Sequence, residues 1–477
     1  MSFRIPSVSV SFSCQDPALQ RLYDDAEQVI SNNTRMFGSD PVLVEGAGYE
    51  KIWLETQPMG GEMAFFRCPE AAVNNTLLFM RTQREDGRLP GSIALTGNSV
   101  TPQFDKLQGF CFARPALDLY YLTGRDAEYL QLLRSCLSRF DSWLHKTRDL
   151  DGTGILSSFC VYDTGEDNAL RYGDAPCYAR EDEPIQGNRF VPLRSMDVTS
   201  YSYSCREMLE KVCALLGLEQ ESLHWHSLAC ETASALRAHL WDDARSALFD
   251  VYPGREKCNV LCHNTLRCMH WHSLAPADAA AFVNRHLLNE NEFFTPVPLP
   301  SVSVSDPLFA DREENNWSGQ PEGLTFQRAV DALENYGFDA LVPVFGRRLI
   351  ETVMRNGNRF TQQYSPFTGA SSSEKNGYGP TALSVLEYMS RMHGVDIEQG
   401  RVRFSDVGGV PFRYALTLDD AVYSLESDGV RACLTACGRE TVFPSGSQLI
   451  TDLSGNVLRT VSLSCSLVPP PFRKAAV

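Results

Sequence analysis

ARPALDLYYLTGRDAEYLQLLRSCLSRFDSWLHKTR, residues 113–148, reads as two helices joined by the short turn TGRD at 123–126. Apolar side chains recur at spacings of three and four on both sides of Gly124, as in a helix with one face toward a core. A glycine at the end of the first helix suits a left-handed cap. The same period runs through 17–33, 62–83, 198–217, 222–241, 277–288, 323–337, 338–357 and 379–394. Short links such as 216–222 join helix to helix, whereas long Gly/Pro/Asp-rich links fall at 86–108, 150–197, 242–262, 289–322 and 358–378. Ten or more helices with long loops on alternate connections suit an α/α barrel whose long loops gather at one end. A superhelical solenoid is the alternative, but no fixed repeat is visible. Long loops in a compact domain usually carry function, so the site is expected on them.

After about 396 the period changes to alternation between Gly, Asp and Ser turns, which predicts a small antiparallel β unit. The expected organisation is mainly α, with a barrel over 1–395 and a β-rich domain over 396–477 covering it.

Hydrophobic residues at 43% and aromatics at 10% are ample for a core. A formal charge of −16 without Lys/Arg runs argues against nucleic acid as a partner. No apolar leader opens the chain and no stretch of about eighteen apolar residues occurs, so no membrane partner is expected and the reading is a cytoplasmic protein. The 15 Cys are scattered and free of CxxC pairs, which suits reduced, buried thiols rather than a disulfide framework. The sequons at Asn32 and Asn74 then carry no meaning.

DTGEDNALRYGD, residues 163–174, places Asp163, Glu166, Asp167 and Asp174 around the single cation Arg171. Three readings compete: a solvated acidic loop, a Ca²⁺ cradle, and a general acid flanked by helpers. The EF-hand register is absent, which weakens the second. Crowded carboxylates raise one another's pKa, so one can stay protonated near neutral pH. The HWH triplets at 224–226 and 270–272 do not read as a metal site, because residues two apart on a helix point away from each other. No metal and no cofactor are expected.

Six weak motifs in order carry a resemblance. TGEDNA (164–169) matches an S-G-x-D-(N/F)-S element, MDVTSY (196–201) a D-L-N-A-Y-L helix, and LWDDARSALFD (240–250) an lWde…D segment. NWSGQPEGLTFQRAVDALENYGF (316–338) is similar to a W-R-G-P-x-W turn opening a late helix, and FTQQYSPFTG (360–369) to F-x-E-x-Y-x-P-x-T-G. IWLETQ (52–57) with QREDGRLPG (83–91) looks like an early W-(D/E) plus Q-x-x-D-G element. Over nearly all of 15–470 the chain thus resembles the (α/α)6-barrel, six-hairpin glycosidases related to processing α-glucosidase, trehalase and mannosylglycerate hydrolase. The resemblance implies inverting hydrolysis of a small sugar or oligosaccharide, with Asp167 as the general acid. Inversion needs a second carboxylate roughly 6.5–9.5 Å from the acid to deprotonate water on the opposite face of the sugar.

Where those relatives place the base Glu, this chain has Gln362, and a neutral amide accepts no proton. A shifted register puts Gln363 there, which is no better. A relocated base is the second explanation, with Glu322 favoured, since it stands where relatives have a sugar-stacking Trp, and Glu374 next. Non-hydrolytic sugar binding, or different chemistry on the sugar, is the third; a barrel isomerase would use His pairs that the loops lack.

Trp53 and Trp317 suit stacking on a pyranose or, alternatively, structural burial. Glu55, Gln57 and Arg88 suit hydrogen bonds to hydroxyls, Arg88 alternatively a turn-stabilising ion pair. Gln108, Gln362 and Tyr364 complete the expected sugar-binding set. Asp197 reads as a helix N-cap. Oligomeric state is open.

Overall fold

The computed structural model describes residues 4–180, 182–372 and 375–474. Its helices, in chain order, are α1 (Pro17–Asn32), α2 (Gln57–Met63), α3 (Pro69–Arg81), α4 (Ala113–Leu122), α5 (Ala127–Arg148) and α6 (Met196–Leu215). They continue as α7 (Glu219–His239), α8 (Asn264–His270), α9 (Pro276–Phe282), α10 (Gly323–Glu334), α11 (Val342–Arg355) and α12 (Gly379–His393).

The even-numbered helices touch in a closed cycle, α2 to α4, α6, α8, α10, α12 and back to α2. Odd-numbered partners pack outside, α3 on α2, α5 on α4 and α6, α7 on α6, α11 on α10 and α12, and α1 on α12. Burial follows from this layering. Every residue of α12 is buried, whereas α7 buries only Ala229, Thr232 and Leu236. A helix walled on all sides needs apolar or paired residues all round; an outer one needs a single stripe.

Two helices depart from the periodic reading. The run at 62–83 is two elements, because Pro69 has no N–H to donate and starts α3 afresh. Helix α8 falls outside the runs expected to be helical; at seven residues it is too short to show a period, yet it closes the inner ring.

The β region is two antiparallel sheets. One has four strands, in the order Gly394–Glu398, Arg401–Asp406, Ser447–Asp452 and Val457–Ser462. The other has five, and its first is Val8–Cys14, paired in register with Phe412–Leu418. The N-terminal segment therefore belongs to this sheet. Phe12 seals the junction, its ring 4.9 Å from Tyr23 of α1 and 5.9 Å from Tyr414. Sheets and helices share one hydrophobic core.

Candidate active site

Residues at or just before the first turns of inner helices line one cavity of about 190 Å³: Glu55 ahead of α2, Gln108 ahead of α4, Leu324 in α10 and Tyr378 before α12. Loops bring Asp167, Asn315, Trp317 and Gln362 to the same wall, and Glu45, Tyr49, Lys51 and Trp53 to another stretch of it. No helix among the described residues is long and apolar enough to cross a membrane.

The acidic stretch 163–174 resolves into distinct environments. Asp163 is fully buried and accepts from Arg148 at 2.7 Å, Leu107 N at 2.8 Å and Phe159 N at 2.7 Å. Burial pushes its pKa up, but Arg148 and these donors hold it below the ordinary value. Glu166 is also sealed, bonded to Arg171 at 2.6 Å, His263 at 3.0 Å and Asn264 at 2.9 Å, with Arg267 at 3.2 Å. This knot ties the loop to the start of α8. Asp174 stays outside.

Asp167 alone of the four opens into the cavity. Its Oδ2 accepts from Asn315 Nδ2 at 3.2 Å, its backbone carbonyl accepts from Trp317 N at 3.3 Å, and its Oδ1 has no partner among the described residues. Burial, then the negative charge of Glu55, raises it to about 7, against a partial offset from Lys106 and Asn315.

Glu322 sits at the head of α10 with no exposed surface and, among the described residues, no partner for either carboxylate oxygen. Burial first, then the charges of Asp167, Glu55 and Glu45, drives its pKa well above the ordinary range. It does not line the cavity. Its backbone forms a bridge with Gln363, and Gly323 N donates to Gln362 O at 2.8 Å, so its backbone runs beside the segment that carries Gln362. Gln362 does face the cavity, and its Oε1 accepts from the Tyr49 hydroxyl at 3.0 Å. Glu374 lies outside the described residues.

Of the other expected residues, Trp53, Glu55, Gln108 and Trp317 line the cavity. Trp53 has cations over its ring, Lys51 at 5.2 Å and Lys106 at 5.5 Å. Glu55 is ion-paired with Arg328 and lies 3.8 Å from Arg267; burial nevertheless leaves its pKa raised.

Four readings need correction. Gln57 is buried behind the wall, its Oε1 accepting from Trp53 N at 2.6 Å. Arg88 is fully buried, ion-paired with Asp182 and 5.2 Å from the Trp143 ring, so the ion-pair alternative describes it. Tyr364 has no exposure and its hydroxyl donates to Arg359 O at 3.0 Å. Asp197 is not the cap of α6: Ser195 accepts from Val198 N, while Asp197 is buried on Asn264 at 2.6 Å.

Sequence reasoning missed Glu45, Tyr49, Lys51, Lys106, Asn315 and Tyr378. The only signal was proximity: YEK (49–51) abuts IWLETQ, and DKL (105–107) abuts Gln108.

A ring of inner helices whose leading ends and loops converge on a carboxyl-lined, tryptophan-bearing cavity defines a barrel glycosidase of the six-hairpin class. The chain belongs to the family described as the mannosylglycerate hydrolase MGH1-like glycoside hydrolase domain, whose model matches residues 62–381, and it is a glycoside hydrolase. Among solved structures it is similar to mannosylglycerate hydrolase from Thermus thermophilus in complex with Tris and D-glycerate. That likeness has 19% identity over 77% of this chain and 100% of that one, with a TM-score of 0.62. Neutral trehalase from Saccharomyces cerevisiae is similar at 13% identity over 77% and 80% of the two chains, with a TM-score of 0.58.

Proposed function

We propose that this chain hydrolyses the glycosidic bond of a small glycoside with inversion, Asp167 acting as general acid and Glu322 as base, in the barrel over 1–395. The β-rich unit over 396–477, joined by the strand at 8–14, covers and braces that barrel. The observation that carries the reading is the carboxyl of Asp167: it opens into the cavity, has a free oxygen, and titrates near neutrality. A general acid needs that combination of access and a retained proton.

What supports the base assignment is that Glu322 has two oxygens without a partner among the described residues and lies near enough to Asp167 for their charges to interact. The base role requires Glu322 ionised while Asp167 keeps its proton, although burial favours the neutral form of both. Gln362 has its oxygen engaged by Tyr49, which leaves its amide hydrogens to hold the attacking water. The proton of that water passes to Glu322 as its oxygen attacks the anomeric carbon. The bond to the leaving oxygen breaks as Asp167 protonates that oxygen.

Lys51 and Lys106 line the cavity over Trp53 and suit an anionic aglycone, such as the glycerate in the complex of the Thermus thermophilus enzyme. The test is incubation with a hexosyl glycerate, trehalose and neutral aryl glycosides, reading the anomer first released by NMR. Release of the opposite anomer, lost in Asp167→Asn, is the expected result. Retention of configuration, or undiminished turnover in Asp167→Asn, would refute the assignment.

A further inference from the structure

We propose that Glu45 is a neutral carboxylic acid whose proton is donated to Thr56, and that its free carbonyl oxygen accepts a hydrogen bond from a substrate hydroxyl. The first half stands on geometry alone, while the second rests on the cavity being a sugar site.

Trp53 N lies 2.6 Å from Gln57 Oε1; a backbone N–H only donates, so that atom of Gln57 is the amide oxygen and an acceptor. Thr56 Oγ1 lies 2.6 Å from the same oxygen and 2.7 Å from Glu45 Oε1. A hydroxyl carries one hydrogen, and the acceptor Gln57 supplies none, so the hydroxyl hydrogen of Thr56 goes to Gln57. The 2.7 Å contact is then a hydrogen bond only if Glu45 brings the proton. The chain runs from the Glu45 carboxylic O–H to Thr56 Oγ1, and from the Thr56 O–H to Gln57 Oε1.

The surroundings agree with this direction. Glu45 is 7% exposed, and its backbone carbonyl is held by Asn33 Nδ2 at 3.1 Å and Gly379 N at 2.6 Å, which fixes the loop that carries it. The groups that face it are Glu55 ahead of α2, Asp167, Tyr49, Tyr378, Glu322 at the head of α10, and Arg328 within α10. Only Arg328 among these is a cation, and it is ion-paired with Glu55. Burial raises Glu45 to about 8, with Glu55 and Asp167 adding to the rise and Thr56 and Arg328 opposing it.

The relay has two chemical consequences. Glu45 lines the cavity, yet its proton is committed, so it is a hydrogen-bond acceptor there and not the base. It also joins the loop at 45 to the first residue of α2, fixing Trp53 through Gln57.

The test pairs a spectroscopic and a kinetic reading. Infrared difference spectra of wild type against Glu45→Gln at pH 6.5 should show the carbonyl stretch of a protonated carboxylic acid; its absence overturns the protonation. Glu45→Ala should lower kcat/KM at pH 6.5 by about tenfold, and Glu45→Gln should recover most of that loss, since an amide reproduces the neutral acid, donating to Thr56 and accepting from substrate. A Glu45→Gln variant as impaired as Glu45→Ala, with an unchanged melting curve, would show that a charge was lost, and overturns the neutral role. If Glu45→Gln does not fold, Thr56→Val is read instead. Loss of the acceptor should move the acid carbonyl band to higher frequency, and an unmoved band overturns the relay. Wild type inactive on every glycoside would sink the sugar-site reading while leaving the infrared result intact.

Discussion

Glu322 and Gln363 face each other across a single antiparallel bridge, so both side chains are buried together while the neighbouring Gln362 turns its own to the cavity. The distance in sequence is large and the distance in space is one strand.

Glu322→Gln should abolish turnover while leaving sugar binding intact by calorimetry. It should also raise the melting temperature, because a buried carboxyl with no partner costs about 1–3 kcal/mol. Adding Gln362→Glu to that variant should restore part of the activity; full inactivity of the double variant, with binding intact, would count against water held at position 362.

Asp167→Asn should lower kcat by about 10²–10⁴-fold with little change in the dissociation constant of the sugar product. A leaving group that needs no protonation should rescue the variant, and equal losses on good and poor leaving groups would remove Asp167 from the acid role.

The acid works only while protonated, so kcat should fall as pH rises through about 7, the value at which Asp167 titrates. Stability moves in the same direction: a carboxyl whose pKa is raised on folding favours the folded state below its unfolded value and loses that contribution as pH rises through its folded one. The melting-temperature gain of Asp167→Asn over wild type should therefore grow between about pH 4 and 7. A pH-independent gain contradicts the raised titration.

Lys51→Met should raise KM for an anionic glycoside about tenfold and leave a neutral aryl glycoside unaffected, as loss of one charge-assisted contact implies. High salt should blunt the difference. Equal effects on both substrates would place the anion elsewhere.

Glu166→Ala should cost about 3–5 kcal/mol in chemical denaturation, because it strips Arg171 and Arg267 of a buried counter-charge. A loss below about 1 kcal/mol would mean that the knot beneath the Asp167 loop is redundant.

Much of the fold was legible because helix periodicity is a local property. Residues 127–148 form a helix over the same span read from the sequence, and the inner helices keep their apolar runs. Helix α8 and the strand Val8–Cys14 were not, since seven residues carry too little pattern and only pairing with Phe412–Leu418 completes that strand. Asp167 was legible through its neighbours in an ordered series of motifs. Arg88 and Tyr364 were misread because a polar side chain near a motif looks the same whether it faces a cavity or a buried partner.

The sequence by itself determined the helical pairing and singled out the long loops and Asp167 that line the cavity, since each is written in residues a few places apart. Only the tertiary structure decided the protonation of the carboxyls and which of them reach the cavity. Burial and charge at Asp167, Glu45 and Glu322 depend on Glu55, Lys106, Asn315 and Arg328, which converge from distant segments only when the ring of helices closes.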